Sequence, residues 1–241
     1  MSGGFSNVIH EAEITRSEPT GVQQSSRLII VFTVLAAISA AVDIAAQYFG
    51  PPTVVYIFKP LTMVFVIAIA AVGAAGQPNG YRYLIITGLC CSIVGDVFLM
   101  LPSDRFVPGL LSFLIAHLLY IAAFRSRTRE VSLAWPAVAC ASYGILMLWF
   151  LFPNLGDMKL PVSIYLIVIL VMAWQALNWW AMNGQAGSAF AALGAVLFVA
   201  SDSIIAINRF QGRVRFSDVL IMATYFSAQW LIALSIYRSR L

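Results

Sequence analysis

The sequence predicts an all-α membrane protein: a bundle of eight transmembrane helices joined by short loops, behind a polar N-terminal tail. Three observations carry this expectation. Of 241 residues, 61% are hydrophobic and 10% charged, whereas a water-soluble domain carries roughly 25% charged residues. The apolar residues fall in continuous runs of about 19–23 residues, the length that crosses roughly 30 Å of hydrocarbon at 1.5 Å per residue. The runs do not alternate polar with apolar, as a transmembrane barrel requires. In lipid the remaining way to satisfy the backbone is the helix.

Residues 1–27 are polar and mixed in charge, without the apolar stretch of a cleavable signal peptide. A mobile tail or short surface helix is expected there, with His10 an exposed tail residue. Helix 1 spans 28–50 and stops at Pro51-Pro52. Helix 2, 53–75, ends before Gln77-Pro78-Asn79-Gly80, and helix 3, 82–101, at Pro102-Ser103-Asp104. Helix 4, 106–124, runs into the basic stretch Arg125 to Arg129. Helices 5 and 6, 132–152 and 160–182, close on Pro153-Asn154 and Asn183-Gly184. Helix 7, 187–207, gives way to Arg209–Arg215, and helix 8 takes 216–238. Proline, glycine and asparagine end helices, and short breaks make consecutive helices antiparallel neighbours. The transmembrane domain is therefore 28–238.

The formal charge of +4 does not point to nucleic acid. The arginines cluster between apolar runs, where they orient helices and meet lipid phosphates. Eight crossings put both ends of the domain on one side. That side carries Arg16, Arg27, Arg82, Arg125, Arg127, Arg129, Arg238 and Arg240; the other carries Arg105, Lys159, Arg209, Arg213 and Arg215. The excess favours cytoplasmic termini, in the inner or plasma membrane if the cell is bacterial. Cys90, Cys91 and Cys140 lie in apolar runs and read as small core residues rather than a disulfide frame or zinc site. The six tryptophans sit mostly toward helix ends and read as an interfacial belt.

Against this background, Gly88–Met100 (GLCCSIVGDVFLM) and Gly194–Asn208 (GAVLFVASDSIIAIN) stand out. Each is apolar with one interior aspartate, Asp96 or Asp202. In each, a glycine precedes the aspartate by eight residues, and the residue just before it is small, Gly95 or Ser201. The matched frames, in helices 3 and 7, suggest a four-plus-four repeat. A carboxylate in hydrocarbon is expensive, so it faces the protein interior and has a function.

Asp43, Lys59 and Tyr165 fall at nearly the same depth as the two aspartates, about two-thirds of the way across from the terminus side. His117 and Gln229 lie a turn or two away. One cation and three carboxylates argue for a polar chamber opening toward the side opposite the termini. Simpler roles stand beside this one. Lys59 near a helix end could snorkel, Asp43 could be its structural partner, and a lone histidine in an apolar helix is more often a hydrogen-bonded core residue. Asp96 and Asp202 together resist such readings, because one lysine leaves negative charge over and invites a shared proton or a bound cation. Gly88, Ser92, Gly95 and Asp96 share one helix face, so Ser92 could hydrogen-bond the carboxylate one turn on. Ser201 could serve Asp202 less directly. His117 and Tyr120 also share a face.

One membrane histidine cannot build an imidazole-rich zinc site, and no serine sits in a nucleophile-elbow context. The Tyr-Asp and Gly-x-Gly-Asp motifs of intramembrane aspartyl proteases are absent. Acid–base work by two carboxylates, or proton-coupled transport, remains. The ordered set Lys59-Pro60-Leu61-Thr62, Gly88-x3-Ser92-x2-Gly95-Asp96-x2-Leu99-Met100, Gly109-Leu110-x2-Phe113-Leu114-x2-His117-x2-Tyr120 and Gly194-Ala195-x2-Phe198-x2-Ser201-Asp202 resembles the YhhN family of membrane lysoplasmalogenases. The resemblance covers residues 28–238 and leaves the polar N-terminal tail outside it.

The resemblance implies hydrolysis of the vinyl-ether bond of lysoplasmalogens to a fatty aldehyde and glycerophospho-ethanolamine or -choline, and implies that the polar positions above line the site. Vinyl ethers resist base but hydrolyse in acid, by protonation at carbon. One carboxyl must therefore carry a proton while a second, ionised, stabilises the oxocarbenium ion and activates water. Asp96 and Asp202 take one role each. Lys59 is expected to hold the substrate phosphate or set the charge balance. His117, Tyr120 and Gln229 would position water and glycerol hydroxyls, with Asp43, Ser92, Tyr165 and Ser201 also lining the site. No metal or cofactor is required; the partners are the lysophospholipid and membrane lipids. The alternative is a proton-coupled transporter of lipids or small molecules using the same aspartates.

Overall fold

A computed structural model describes residues 20–72, 80–128 and 135–238. Eight helices follow one another: α1 (Thr20–Phe49), α2 (Pro52–Val72), α3 (Gly80–Met100), α4 (Phe106–Arg127), α5 (Trp135–Leu151), α6 (Lys159–Asn183), α7 (Ala186–Phe210) and α8 (Ser217–Arg238). Two short 3-10 turns, Phe152–Asn154 and Gly156–Met158, join α5 to α6. There is no strand among the described residues. All eight helices are long and apolar enough to cross a membrane.

Several helices outrun their apolar segments. α1 begins at Thr20 rather than residue 28, α3 at Gly80, and α4 continues to Arg127. Hydrophobicity marks only the part in hydrocarbon, whereas the backbone ladder continues until a breaker or loop stops it. Gly184 shows such a stop: at φ 61° it takes the left-handed turn that ends α6, and its N–H bonds the Trp180 carbonyl. Expected helical residues 73–75 and 132–134, and the tail up to residue 19, lie outside the described residues.

The pairs α1–α2, α3–α4 and α7–α8 pack along their lengths. α4 then packs on α6 and skips α5, while α8 touches α1, α2, α3 and α7. α5 stands to the outside, mainly against α6. Only Pro136 and Leu151 of α5 are buried, and Val138, Ile145, Leu146 and Trp149 face outward. In lipid an exposed apolar side chain costs nothing, so an outer helix needs little burial.

α8 is the central fastener. Trp230 donates to Thr33 of α1 (3.1 Å), Ser235 bonds Tyr81 of α3 (2.5 Å), and Ser201 of α7 donates to the Ile221 carbonyl (3.2 Å). Hydrogen bonds between helices add specificity where apolar contact alone has no water to escape from. Two sequence expectations change. Trp179 is not interfacial; it is buried, edge-on to Tyr81 and stacked on Phe124. Cys90 is exposed rather than in the core, because its position turns away from the packed face of α3.

Candidate active site

The interior aspartates form two adjacent centres. Asp96, on α3, is 2% exposed. Lys59 of α2 sets its ammonium 3.2 Å from Oδ1, and Tyr225 of α8 donates to Oδ2 at 2.6 Å. Both carboxylate oxygens are thereby occupied. Lys59 is itself buried and turned inward, not snorkelling to an interface. Asp43 of α1 is fully buried and accepts from Gln47 at 3.2 Å. It lies within electrostatic reach of Lys59, but the lysine's direct partner is Asp96.

Asp202, on α7, accepts a hydrogen bond from the Tyr165 hydroxyl of α6. His117 of α4 places Nε2 2.9 Å from that hydroxyl and 3.7 Å from the Asp202 carboxylate. Tyr165 has one proton and gives it to Asp202. The bond to His117 therefore runs from Nε2–H to the tyrosine oxygen, and the other ring nitrogen is Nδ1. That atom is buried with no hydrogen-bond partner.

Aromatic rings separate and position the two centres. Phe113, Phe198 and Tyr225 meet edge-to-face with centroids 5.5 to 6.1 Å apart, and His117 sits 4.7 Å from Phe198. Two glycines of α3 make room for these rings. A Cβ on Gly95 would come within 2.6 Å of the Phe113 ring, and one on Gly88 within 2.4 Å of the Tyr120 ring. The small residues thus admit aromatic side chains of α4. Tyr120 donates to Gln229 Oε1 at 2.9 Å; the Gln229 amide nitrogen is buried without a hydrogen bond. Gln229 also lies beside Tyr225, so it spans the space between the histidine helix and the Asp96 centre.

The expected serine contacts are not made. Ser92 donates back to the Gly88 carbonyl (3.1 Å), because Lys59 and Tyr225 already fill Asp96. Ser201 reaches across to α8 instead of to Asp202. Tyr225 was not anticipated. The trace it leaves in sequence is its spacing, one helical turn before Gln229 on the same face.

A cavity of about 50 Å³ reaches Asp202 and Tyr165, walled by Leu99, Phe106, Leu110, Phe113, Val162, Ile205, Ala206 and Phe210. These come from the end of α3, the starts of α4 and α6 and the end of α7, so the cavity lies toward the loops opposite the termini. At that rim Phe106 and Phe210 meet edge-to-face at 6.0 Å, and the Arg209 guanidinium lies 4.1 Å over Phe106 while pairing with Asp104 at 2.7 Å. Asp104 is an exposed loop residue, and its bonds from Arg209 and the Phe106 amide hold its carboxyl below the ordinary range. Among the described residues no group of three or more His, Cys, Asp and Glu side chains gathers as metal ligands would.

Eight membrane-crossing helices enclosing three interior carboxylates, two of which receive a tyrosine hydroxyl, define a multi-pass integral membrane protein with a buried polar centre. Residues 54–236 match the YhhN family, and the chain belongs to that family. It is 29% identical over 205 residues to a protein of Escherichia coli O157:H7 named uncharacterized membrane protein YhhN, covering 85% of this chain and 97% of that one. It is 39% identical over 162 residues to the human lysoplasmalogenase TMEM86B, 67% of this chain and 66% of that one. With the Bos taurus lysoplasmalogenase TMEM86A it shares 38% over 169 residues, 68% of each chain. No solved structure matches.

Proposed function

We propose that this protein is a lysoplasmalogenase that hydrolyses the vinyl-ether bond of an alkenyl lysophospholipid by two-carboxylate acid–base catalysis. The lysoplasmalogenase names of the human and bovine relatives support the substrate class. The observation that carries the mechanism is the unlike setting of the two aspartates: one held by a cation and a hydroxyl, the other lining a cavity.

Asp202 then delivers the proton to the β-carbon of the vinyl ether. The Asp96 carboxylate, held by Lys59 and Tyr225 beyond the Phe113, Phe198 and Tyr225 rings, acts on the oxocarbenium ion through its field alone. Asp202, now a carboxylate, takes a proton from water as the water oxygen adds to that cation. The hemiacetal collapses as its hydroxyl proton passes to the departing glycerol oxygen, giving aldehyde and glycerophospho-base and leaving Asp202 protonated again. Tyr165 and His117 orient Asp202, and Tyr120, Gln229 and Ser201 fix the helices around it. Lys59, tied to Asp96, sets the charge balance and does not hold the phosphate. Purified protein given a lysoplasmalogen, an acyl lysolipid and a diradyl plasmalogen is expected to release aldehyde from the first alone, read by mass spectrometry. Absence of aldehyde would leave a transporter as the better account.

The same reading places both ends of the domain in the cytoplasm and derives α1–α4 and α5–α8 from a duplication. The arginine excess supports the first. The matched Gly88–Asp96 and Gly194–Asp202 frames in α3 and α7 support the second. In a cysteine-free background, single cysteines at Ser126 and Gln211 should label from opposite faces, Ser126 from the cytoplasm. Labelling of both from one face rejects the topology.

A further inference from the structure

We propose that the Asp104–Arg209 pair at the cavity rim is a cradle for the zwitterionic headgroup, exchanging its internal partner for the phosphate at Arg209 and the ammonium at Asp104. The inference rests on the lysoplasmalogenase reading. An exposed ion pair is ordinarily a weak surface contact, and three observations set this one apart. Its guanidinium lies over Phe106 at 4.1 Å and 6.0 Å from the centre of Phe210, and both rings wall the cavity that ends at Asp202. Arg209 follows Asp202 by seven residues on α7, two turns along one helix face, and Ile205 and Ala206 between them line the same cavity. The pair also offers one cation and one anion 2.7 Å apart, the complement of a phosphoethanolamine folded on itself.

The spacing fits the substrate. Seven residues of helix rise roughly 10 Å. From the vinyl carbon that accepts the proton to a phosphate oxygen there are eight bonds, also roughly 10 Å at the ~1.2 Å per bond of an extended chain. A lipid with its reacting carbon at Asp202 thus carries its phosphate to Arg209, with the glycerol running along α7. Arginine binds phosphate through paired N–H donors. Asp104 is 68% exposed as a side chain and Arg209 36%, so both are open to exchange. Phe106 and Phe210 stay in place as the aromatic walls of the entrance.

Non-reacting ether analogues test this without turnover. The three probes are a 1-O-alkyl lysoglycerophosphoethanolamine, the matching 1-O-alkylglycerol phosphate and 1-O-alkylglycerol, each titrated calorimetrically into the full chain in nanodiscs. Arg209→Gln is expected to weaken both phosphate lipids at least tenfold and leave 1-O-alkylglycerol within twofold. Asp104→Asn should weaken the ethanolamine lipid severalfold relative to the alkylglycerol phosphate. Equal losses on all three probes, or none on the phosphate lipids, overturn the cradle, as does displacement of the lipid by inorganic phosphate at equal concentration. The underlying reading fails separately: wild type that binds with this Arg209 dependence yet frees no aldehyde from the alkenyl lipid has the cradle without the activity.

Discussion

Asp202→Asn is expected to lower turnover by on the order of 10² or more, the usual scale for a lost general acid or base, in a protein that extracts and melts like the wild type. The amide preserves the shape and can still accept the Tyr165 hydroxyl, but it cannot deliver a proton to carbon. No lysine or arginine pairs with Asp202 among the described residues, so its neutralisation strands no fixed cation. Asp96→Asn should lose activity on the same scale, and the two losses should not add, because neither carboxylate serves without the other. The wild-type rate should fall on both sides of a pH optimum, with a solvent deuterium isotope effect if protonation of carbon limits the rate. Near-normal aldehyde release by Asp202→Asn would sink the two-carboxylate mechanism and turn attention to His117.

Lys59→Met should be the most destabilising of the single changes discussed. It removes the cation 3.2 Å from Asp96, while Asp43 lies buried nearby. Breaking a buried pair from one side typically costs about 3–5 kcal/mol, whereas replacing both partners by apolar residues of similar volume is often neutral. The expected pattern is therefore a steep loss of thermal stability in Lys59→Met, recovery in Lys59→Met/Asp96→Leu, and no activity in either. Thermal unfolding in detergent and aldehyde release read the two halves of this cycle. A Lys59→Met variant with wild-type melting would mean the ammonium contributes little to holding Asp96.

The helices were legible because hydrocarbon imposes a length, and Asp96 and Asp202 because hydrocarbon penalises charge. What the sequence hid was set by helix packing. Nothing in local spacing says that Tyr225 rather than Ser92 meets Asp96, or that Lys59 turns to Asp96 rather than Asp43. A hydroxyl in an apolar run has several carbonyls and side chains within reach, and the neighbouring helix decides among them. The outer placement of α5 was invisible for the opposite reason. Lipid-facing and buried helices have the same composition, so an apolar run cannot declare which it is. Trp179 went astray because a tryptophan near a helix end suits either an interface or a core.

The fastening role of α8 bears on how the protein is made. A ribosome completes the other seven helices before this one, so α2 and α3 enter the bilayer with Lys59 and Asp96 lacking the Tyr225 hydroxyl, and α4 with Tyr120 lacking Gln229. Under the two-carboxylate proposal the nascent chain is inserted before its site is complete, since the site waits on the eighth crossing packing against α1, α2, α3 and α7. Completion of the proposed site is thus a late event of synthesis, and a chain stalled before Ser217 is expected to release no aldehyde.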